Sequence, residues 1–169
     1  MQPTHESSRI LVPAQHGFRK RRSTVSQLIH TSNDLAHCLN HKSQVDGILL
    51  DFTKAFDRVS HSHLLHKLSH YGIRQNYLAW AKSFLSNRTQ RVIIDGKFSN
   101  FSPVLSGVPQ GTVLGPAFFL CYINDLPDHV SSKIRLFADD AFLYREIKTN
   151  ADHHALQSDL TALAKWADD

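Results

Sequence analysis

Three aspartates stand directly beside apolar runs of the sequence. Asp51 follows Ile48–Leu50, and the pair Asp139 and Asp140 lies between two further apolar segments. Adjacent carboxylates repel each other, which costs stability unless a cation lies between them. Mg²⁺ prefers oxygen ligands, and two such ions held about 3.5–4 Å apart can activate an attacking hydroxyl and stabilise a leaving phosphate. The residue types therefore indicate a two-metal site.

Each of these acids also has a simpler interpretation. Acids are common in hairpin turns, where they cap backbone groups and contact water, and that alone would account for Asp139 and Asp140. Asp51 could be the solvent-facing end of a strand. The apolar flanks on both sides of the acidic pair weaken the simpler interpretation, and so does the mutual repulsion of its two carboxylates.

The strands that would position these acids are predicted from apolar patterns. Ile48–Leu50 is typical of a buried strand whose carboxylate emerges at its end. The segments around Asp139 and Asp140 predict a hairpin with both acids at its tip. Asp95 and Gly96 form the turn that a two-residue hairpin requires. Combined with the helices below, these antiparallel hairpins predict an α+β fold.

Helices are predicted wherever apolar residues recur at helical spacing. One helix begins near Ser23 and Thr24, and a second begins after Ser60 and stops at Gly72. Three more cover about 75–85, about 115–124 with Pro127 as its end, and the last stretch of the chain. The residues expected on the apolar face of the first helix are Val25, Leu28, Ile29, Leu35, Ala36 and Leu39, and those of the last helix are Leu156, Leu160 and Leu163.

The composition is that of an ordinary folded chain with a modest basic excess. Of the 169 residues, 41% are hydrophobic and 20% are charged, with a formal charge of +4, which excludes a disordered chain and favours an anionic partner. Cys38 and Cys121 lie in unrelated contexts, so a disulfide framework is not expected. The longest apolar stretch, Ala117–Ile123, is too short to cross a membrane. We therefore expect no membrane partner and an intracellular location, in the cytoplasm or the nucleus.

Twelve histidines raise the question of a zinc site. His37 with His41, and His66 with His70, are four residues apart and could share a helical face. No third ligand stands at a recognisable zinc spacing, so exposed helix histidines are the favoured interpretation.

Three motifs in a fixed order resemble the A, B and C motifs of reverse transcriptases. They are DFTKAFD at residues 51–57, SGVPQGTVLGP at residues 106–116 and FADD at residues 137–140. The wider context is similar to the non-LTR (LINE-type) retrotransposon branch. That similarity is carried by QHGFRKRRST at 15–24, ILLDFTKAFDRVSH at 48–61 and YINDLP at 122–127. It extends over nearly the whole chain from Gln15, and the ordered set of motifs makes it specific.

The resemblance implies an RNA-directed DNA polymerase site. Asp51, Asp139 and Asp140 would be catalytic and would bind two Mg²⁺ ions, which Mn²⁺ could replace. One ion would lower the pKa of the primer 3′-hydroxyl, and the other would arrive with the deoxynucleoside triphosphate. The further partners would be an RNA template and a DNA primer. The residues implied to bind the nucleotide are Phe52, Thr53, Lys54, Ala55, Phe56, Gln110 and Gly111.

Two of the implied nucleotide contacts have competing interpretations. Phe56 stands where the family places an aromatic gate that would clash with a ribose 2′-hydroxyl and so favour deoxynucleotides. A phenylalanine is, however, more often a core residue. Gln110 would contact the incoming nucleotide and the template, or it could be a turn glutamine in water.

A basic run precedes the first predicted helix. Arg19, Lys20 and Arg22 would contact template phosphates, giving salt-sensitive binding without sequence preference. Such runs are usually only a solvated surface. Many family members have glycine where Arg21 stands.

The resemblance also implies a domain organisation. Residues 1–14 would be an irregular lead-in, and residues 15–169 would be a partial reverse transcriptase domain. Within it, a remnant of the fingers would cover about 15–46 and a palm about 47–169, with antiparallel strands packed on helices. The thumb would be absent. The oligomeric state is left open by the sequence.

Two other functions remain alternatives at this point. A non-catalytic nucleic-acid-binding remnant of a retrotransposon polymerase would keep the fold and the basic run without turnover. A metal-dependent nuclease would also use three acids and two metal ions. The nuclease ranks last, because it has no obvious use for Phe56 or for the loop at residues 106–111.

Overall fold

The computed structural model describes residues 10–168, which form two compact units of helices and antiparallel strands. The first unit combines residues 10–53 with residues 123–168, and the second comprises residues 54–122. The mixture of helices with antiparallel strands confirms the predicted α+β class. Most of the predicted lead-in, residues 1–9, lies outside the described residues. The proposed boundary between fingers and palm stays a prediction.

The elements follow one another in an irregular alternation of helices and strands. In chain order they are α1 (Thr24–Asn40), β1 (Gln44–Asp51), α2 (His61–His70), α3 (Asn76–Leu85), β2 (Thr89–Gln90), β3 (Ile93–Ile94), β4 (Lys97–Phe98), β5 (Ser102–Pro103), α4 (Leu114–Ile123), a 3-10 helix (Leu126–His129), β6 (Lys133–Phe137), β7 (Asp140–Ile147) and α5 (Asn150–Asp168).

A three-stranded antiparallel sheet forms the centre of the first unit. Its strand order is β1-β7-β6, so β7 is central and β1 lies at an edge. The prediction of a strand at Ile48–Leu50 is confirmed, but the prediction that it is buried was wrong, because Leu49 is 83% exposed. Alternate residues of an edge strand point to opposite faces of the sheet, and in this strand only one of the two faces is covered.

The covered face of the sheet makes the core of the first unit. Ile134 and Leu136 of β6 pair with Leu143 and Ala141 of β7, and all four are buried. Helix α5 packs against β7 and the 3-10 helix. Two of its predicted apolar positions, Leu156 and Leu163, are buried, while Leu160 is half-buried.

Helix α1 contacts β1 and β6, and the polar side chains of Gln27 and Asp34 form its hydrogen bonds to β6. The prediction of this helix is confirmed, with Ser23 as the N-cap whose side chain accepts a hydrogen bond from the Ser26 amide at 3.1 Å. Most of the predicted apolar face is, however, exposed. Gln27 is its one buried residue, whereas four of the predicted positions are 63–68% exposed, namely Val25, Leu28, Ile29 and Leu39.

The second unit follows the predicted local signals closely. Helix α2 begins after the N-cap Ser60 and ends before Gly72, whose φ of +89° suits glycine. It packs against α3. Asp95 and Gly96 both have positive φ, as a two-residue hairpin between β3 and β4 requires. No helix within residues 10–168 is both long and apolar enough to cross a membrane.

The predicted helix at about 115–124 is confirmed, but the role given to Pro127 as its end was wrong. Helix α4 ends at Ile123, well before Pro127, and the proline lies inside the separate 3-10 helix. Proline is tolerated in the first turn of a helix because the N–H that it lacks has no partner there. A proline therefore marks the beginning of a short helix here, not the end of the preceding one.

A buried carboxylate joins α5 to the start of β6. Asp159 accepts hydrogen bonds from the Ser131 amide at 2.9 Å and the Ser132 amide at 2.7 Å. Burial by itself would raise the pKa of Asp159, but the hydrogen bonds from Ser131 and Ser132 outweigh it and the pKa is lowered. Asp159 therefore acts as an ionised cap for this loop.

We expect Asp159→Ala to lower the free energy of unfolding by about 2–4 kcal/mol, because two amides lose their buried acceptor. Urea unfolding measures this change, with the exposed acid substitution Asp128→Ala as the control. Equal losses in the two variants would contradict the capping role.

Candidate active site

Two of the three candidate acids lie directly opposite each other on paired strands. Asp51 is the last residue of β1 and Asp140 is the first residue of β7, and they are partners in the antiparallel register. Opposed residues have Cα atoms about 4.5–5.5 Å apart and side chains on the same face of the sheet. Both side chains are exposed. The sheet therefore holds two like charges side by side in solvent.

The third acid lies in the turn that joins β6 to β7. The turn residues are Ala138 and Asp139, and Phe137 pairs with Asp140 across it. Only one acid of the predicted pair is therefore in the turn, since Asp140 already belongs to the strand. Ala138 has a φ of +55°, the left-handed region that costs an L-residue energy.

The three carboxylates suit a hard cation by their chemistry, although their side chains do not form a ready-made cluster. Within residues 10–168, no three His, Cys, Asp or Glu side chains stand together as a metal-binding group. The backbone nevertheless brings three carboxylates to one end of the sheet. Like charges that face each other across a strand pair destabilise it, and a divalent cation between them would remove that repulsion.

An apolar groove of about 520 Å³ lies between α1 and the face of the sheet that α1 contacts. Asp51 and Asp140 contribute to its lining, so the acids border an apolar surface. The other lining residues are Gln27, Leu28, Thr31, Leu49, Leu50, Arg135, Phe137, Ala141 and Phe142.

In the second unit, the loop at residues 106–111 is hydrogen-bonded to the segment after Lys54. The Val108 amide donates to the Phe56 carbonyl at 2.9 Å, and the Gly107 amide donates to the Val59 carbonyl at 2.8 Å. Gly107 has a φ of +87°, and a Cβ there would lie 2.8 Å from the Cα of Asp57. Glycine is therefore required at this position by both the backbone conformation and the available space.

Two predicted nucleotide contacts also acquire protein partners in the second unit. Gln110 is exposed, and its Nε2 donates to Oδ1 of Asp57 at 3.0 Å. Phe56 is half-buried and stacks on Phe119 with ring centroids 4.2 Å apart. Neither contact tests a role in nucleotide binding, which stays a prediction. Of the remaining predicted residues in this unit, Lys54 and Gly111 are exposed and Ala55 is half-buried.

The first unit contains the other two residues of the predicted nucleotide site. Thr53 is exposed. Phe52 is half-buried and lies edge-on to Trp166, with centroids 6.0 Å apart.

Arg19 and Arg22 of the basic run contact the chain's own backbone. Nη1 of Arg19 donates to the Val12 carbonyl at 2.7 Å, and Nη1 of Arg22 donates to the Pro13 carbonyl at 2.9 Å. Lys20 is exposed. Arg21 has a φ of +63°, a conformation that favours glycine. The template-binding role of this run stays a prediction.

A polar network attaches α1 to the sheet. Asp34 accepts hydrogen bonds from Nζ of Lys133 at 2.9 Å and from Nη2 of Arg135 at 2.5 Å, and it also accepts one from the Tyr144 hydroxyl. Burial opposes ionisation of Asp34, yet the bonds from Tyr144, Lys133 and Arg135 hold its pKa far below the usual value. Burial raises the pKa of Tyr144 to about 12, with a contribution from Asp34.

Comparison with known proteins assigns the chain to a family. The family model described as reverse transcriptase (RNA-dependent DNA polymerase) matches residues 2–169. The chain belongs to the reverse transcriptase family. The relatives are reverse transcriptases of mobile elements, as the ordered motifs predicted, and the prediction of the non-LTR branch is confirmed.

Three reverse transcriptase relatives come from Drosophila melanogaster. The chain is 37% identical to the RNA-directed DNA polymerase from mobile element jockey, over 91% of this chain. It is 33% identical to the probable RNA-directed DNA polymerase from transposon BS, over 94% of this chain, and 30% identical to that from transposon X-element, over 96%. In each case the match covers 18% of the relative.

Sequence reasoning missed several residues that support the reverse transcriptase motifs. Asp57 lies inside DFTKAFD but was given no role, although it binds Gln110. Asp34 and Arg135 lack any motif signal, because their contact joins elements about a hundred residues apart. Gln15 and His16 lie outside the three ordered motifs, and both are 2% exposed.

His16 is held neutral inside this reverse transcriptase chain. Its Nε2 accepts a hydrogen bond from Arg22, so Nδ1 carries the proton and donates to Oγ of Ser26 at 2.8 Å. Burial is the largest cause that lowers the pKa of His16 to about 4, and the charge of Arg22 lowers it further. Between that value and 6.5, the unfolded chain binds a proton that the folded chain does not bind.

We expect the free energy of unfolding to fall as the pH decreases from 6.5 towards 4, by about 3 kcal/mol from His16. Denaturant unfolding at a series of pH values measures the slope. His16→Gln should flatten the slope in this window, and an unchanged slope in that variant would contradict the assignment.

Proposed function

We propose that the chain carries the catalytic centre of an RNA-directed DNA polymerase, which transfers deoxynucleotides to a primer 3′-hydroxyl by a two-metal mechanism. The observation that carries this proposal is the register of β1 and β7, which sets Asp51 opposite Asp140 in a chain of the reverse transcriptase family. The relatives are named RNA-directed DNA polymerases. Because the chain spans less than a fifth of their length, activity, substrates and partners are part of the proposal.

In this proposal, Asp51, Asp139 and Asp140 hold the metal ions. Two bound Mg²⁺ ions, or Mn²⁺ in their place, supply charge stabilisation at the attacking and leaving oxygens of the phosphoryl transfer. Asp51 and Asp140 provide carboxylates on one face of the sheet, and Asp139 provides the third from the turn. Rigid strands suit this task, because ligand geometry must be held closely for catalysis.

The nucleotide is bound by the second half of motif A and by the motif B loop. Gln110 faces solvent, and its Nε2 donates a hydrogen bond to Asp57. This bond orients the side-chain amide, and its Oε1 is available to a nucleotide. Phe56 is the gate against a 2′-hydroxyl, and its stacking on Phe119 would hold the ring in place. The nucleotide-binding set further includes Phe52, Thr53, Lys54, Ala55 and Gly111.

The sheet of β1, β7 and β6, with α5 on its covered face, is assigned as the palm in this proposal. Residues 15–46, including α1, are assigned to the fingers. The RNA template and the DNA primer are the nucleic-acid partners, with Lys20 as the template contact of the basic run that is most exposed to solvent. Arg19 and Arg22 contribute positive charge close to it.

Primer extension on an RNA template with Mg²⁺ and deoxynucleotides tests the catalytic role of the acids. We expect Asp139→Ala to lower the extension rate by at least about a hundredfold, because a ligand of the metal ions that stabilise the transition state is lost. Asp128→Asn, which changes an exposed acid outside the site, should retain the wild-type rate. Equal extension by the wild type and Asp139→Ala would overturn the proposal.

Mn²⁺ binding, followed by electron paramagnetic resonance, tests the metal site independently of turnover. Wild-type and Asp128→Asn chains should bind Mn²⁺, whereas Asp51→Asn and Asp140→Asn should bind it at least about tenfold more weakly, a difference of 1.4 kcal/mol. Salt-dependent RNA binding without any Mn²⁺ site would instead favour the non-catalytic binder.

Phe56→Ala should reduce the preference for deoxynucleotides over ribonucleotides by at least about tenfold, because the ring that excludes the 2′-hydroxyl is gone. Competitive incorporation of the two nucleotide types measures this ratio. Phe119→Leu removes the stacking partner but keeps the gate, so it should retain most of the preference. Equal losses in both variants would contradict a gate at Phe56.

A further inference from the structure

The side chain of Gln15 is paired with the backbone of Ala138, in the turn that precedes Asp139. Its Oε1 accepts from the Ala138 amide at 2.9 Å, and its Nε2 donates to the Ala138 carbonyl at 3.1 Å. Oε1 also accepts from the Gly17 amide at 2.7 Å. Gln15 is 2% exposed. A buried side-chain amide thus forms the pair of hydrogen bonds that a neighbouring strand would otherwise form.

These contacts extend a short backbone ladder beside β6. Gln15 forms a parallel bridge with Leu136, in which the His16 amide donates to the Leu136 carbonyl at 2.9 Å and the Leu136 amide donates to the Ala14 carbonyl at 3.0 Å. The ladder stops where β6 approaches its end at Phe137. The Gln15 side chain continues the pairing to Ala138, beyond the last strand residue.

Gly17 also packs directly against the backbone of Ala138. A Cβ at this position would lie 2.2 Å from the Ala138 nitrogen and 2.9 Å from its Cα. Real Cβ atoms do not approach backbone atoms so closely, because the overlap is strongly repulsive. Glycine is therefore required at residue 17 by space, and the segment at 15–17 fits tightly against the turn.

The clamped residue is the strained one. Ala138 has a φ of +55°, and the first position of a two-residue turn with positive φ normally carries glycine. An alanine in this conformation persists only where the surroundings hold it. Asp139 follows directly, so the dihedral angles of Ala138 determine where the Asp139 carboxylate points relative to Asp140.

We propose that Gln15 is a positioning residue for the acidic hairpin: its amide holds Ala138 in the left-handed conformation and thereby directs the Asp139 carboxylate towards the metal site. The inference rests on the proposed function for the role of Asp139. It gives the segment at 15–17 a supporting role at the proposed polymerase site, although this segment lies outside the A, B and C motifs. Gln15 acts through the backbone and does not itself contact the metal ions or the substrate.

Hydrogen exchange of the Ala138 amide in the metal-free chain tests the clamp directly. Gln15→Leu removes both hydrogen bonds, and we expect exchange at Ala138 to become at least about tenfold faster. Gln15→Glu keeps an acceptor for the amide but loses the donor, so its effect should be smaller, and it serves where the leucine variant does not fold.

Gln27→Leu is the matched control. Gln27 is also a buried amide, 8% exposed, and it donates to the carbonyls of Ala14 and Leu136 at 3.3 Å without contacting the turn. A general loss of stability would affect the two leucine variants alike. Faster exchange at Ala138 in Gln15→Leu than in Gln27→Leu supports the clamp, and equal exchange in the two overturns it.

Mn²⁺ affinity then tests whether the clamp matters for the metal site. Gln15→Leu should weaken Mn²⁺ binding by at least about threefold relative to Gln27→Leu, since an Asp139 carboxylate that is not held in one position is a poorer ligand. Adding Ala138→Gly should recover part of the loss, because glycine adopts the left-handed conformation without the clamp. An unchanged affinity in Gln15→Leu, or no recovery with glycine, would overturn the positioning role.

The two proposals fail in distinguishable ways. If Asp51→Asn, Asp139→Ala and Asp140→Asn all bind Mn²⁺ as the wild type does, the acids are not the metal site and the proposed function fails. The exchange rate of the Ala138 amide then still decides whether Gln15 clamps the turn. If the exchange result is negative while Asp139→Ala loses Mn²⁺ binding, the positioning inference alone is overturned.

Discussion

The antiparallel pairing of β1 with β7 is the interaction on which the candidate site depends. It runs from Gln44 opposite Ile147 to Asp51 opposite Asp140. The last of these pairs brings two of the candidate carboxylates together. A slip of one residue would turn every side chain of β1 to the other face and would remove Asp51 from its partner. Such a slip is opposed by Ile48 and Leu50 of β1, which are half-buried on the covered face opposite Leu143 and Ala141.

The aspartates around that sheet are of two kinds, enclosed and exposed. Asp34 and Asp159 are largely enclosed, and each is matched by several donors that keep its pKa low. Asp51 and Asp140 face each other in solvent without such donors among the hydrogen bonds of the described residues. An enclosed carboxylate needs such partners, because an unpaired charge in the interior is strongly destabilising, whereas opposed carboxylates in solvent only contribute repulsion. This contrast supports the proposal that the exposed pair binds a cation.

The segment before α1 contacts the turn that carries one of the candidate acids. Gln15 and His16 are enclosed beside β6, with polar atoms that bind the turn at Ala138 and the residues that begin α1. Buried polar groups that are fully hydrogen-bonded specify one arrangement among many. The two glutamines of this region, Gln15 and Gln27, both donate to backbone carbonyls beside or beyond β6, whereas the buried Oε1 of Gln27 has no hydrogen-bond partner among the described residues. The basic loop, the start of α1 and the turn at Ala138 therefore meet in one polar cluster.

The sequence alone determined the helix starts at Ser23 and Ser60, the helix stop at Gly72 and the Asp95-Gly96 turn, because caps and turns depend on near neighbours. The order of the reverse transcriptase motifs is likewise read directly from the sequence. Tertiary structure alone decided what each apolar face meets: Leu49 and the apolar residues of α1 proved exposed, since periodicity describes a face but not its covering. It also decided the register that sets Asp51 opposite Asp140, the partners of Asp34, and the contact of Gln15 with Ala138. Each of these joins residues roughly ninety or more positions apart, so no local pattern contains it.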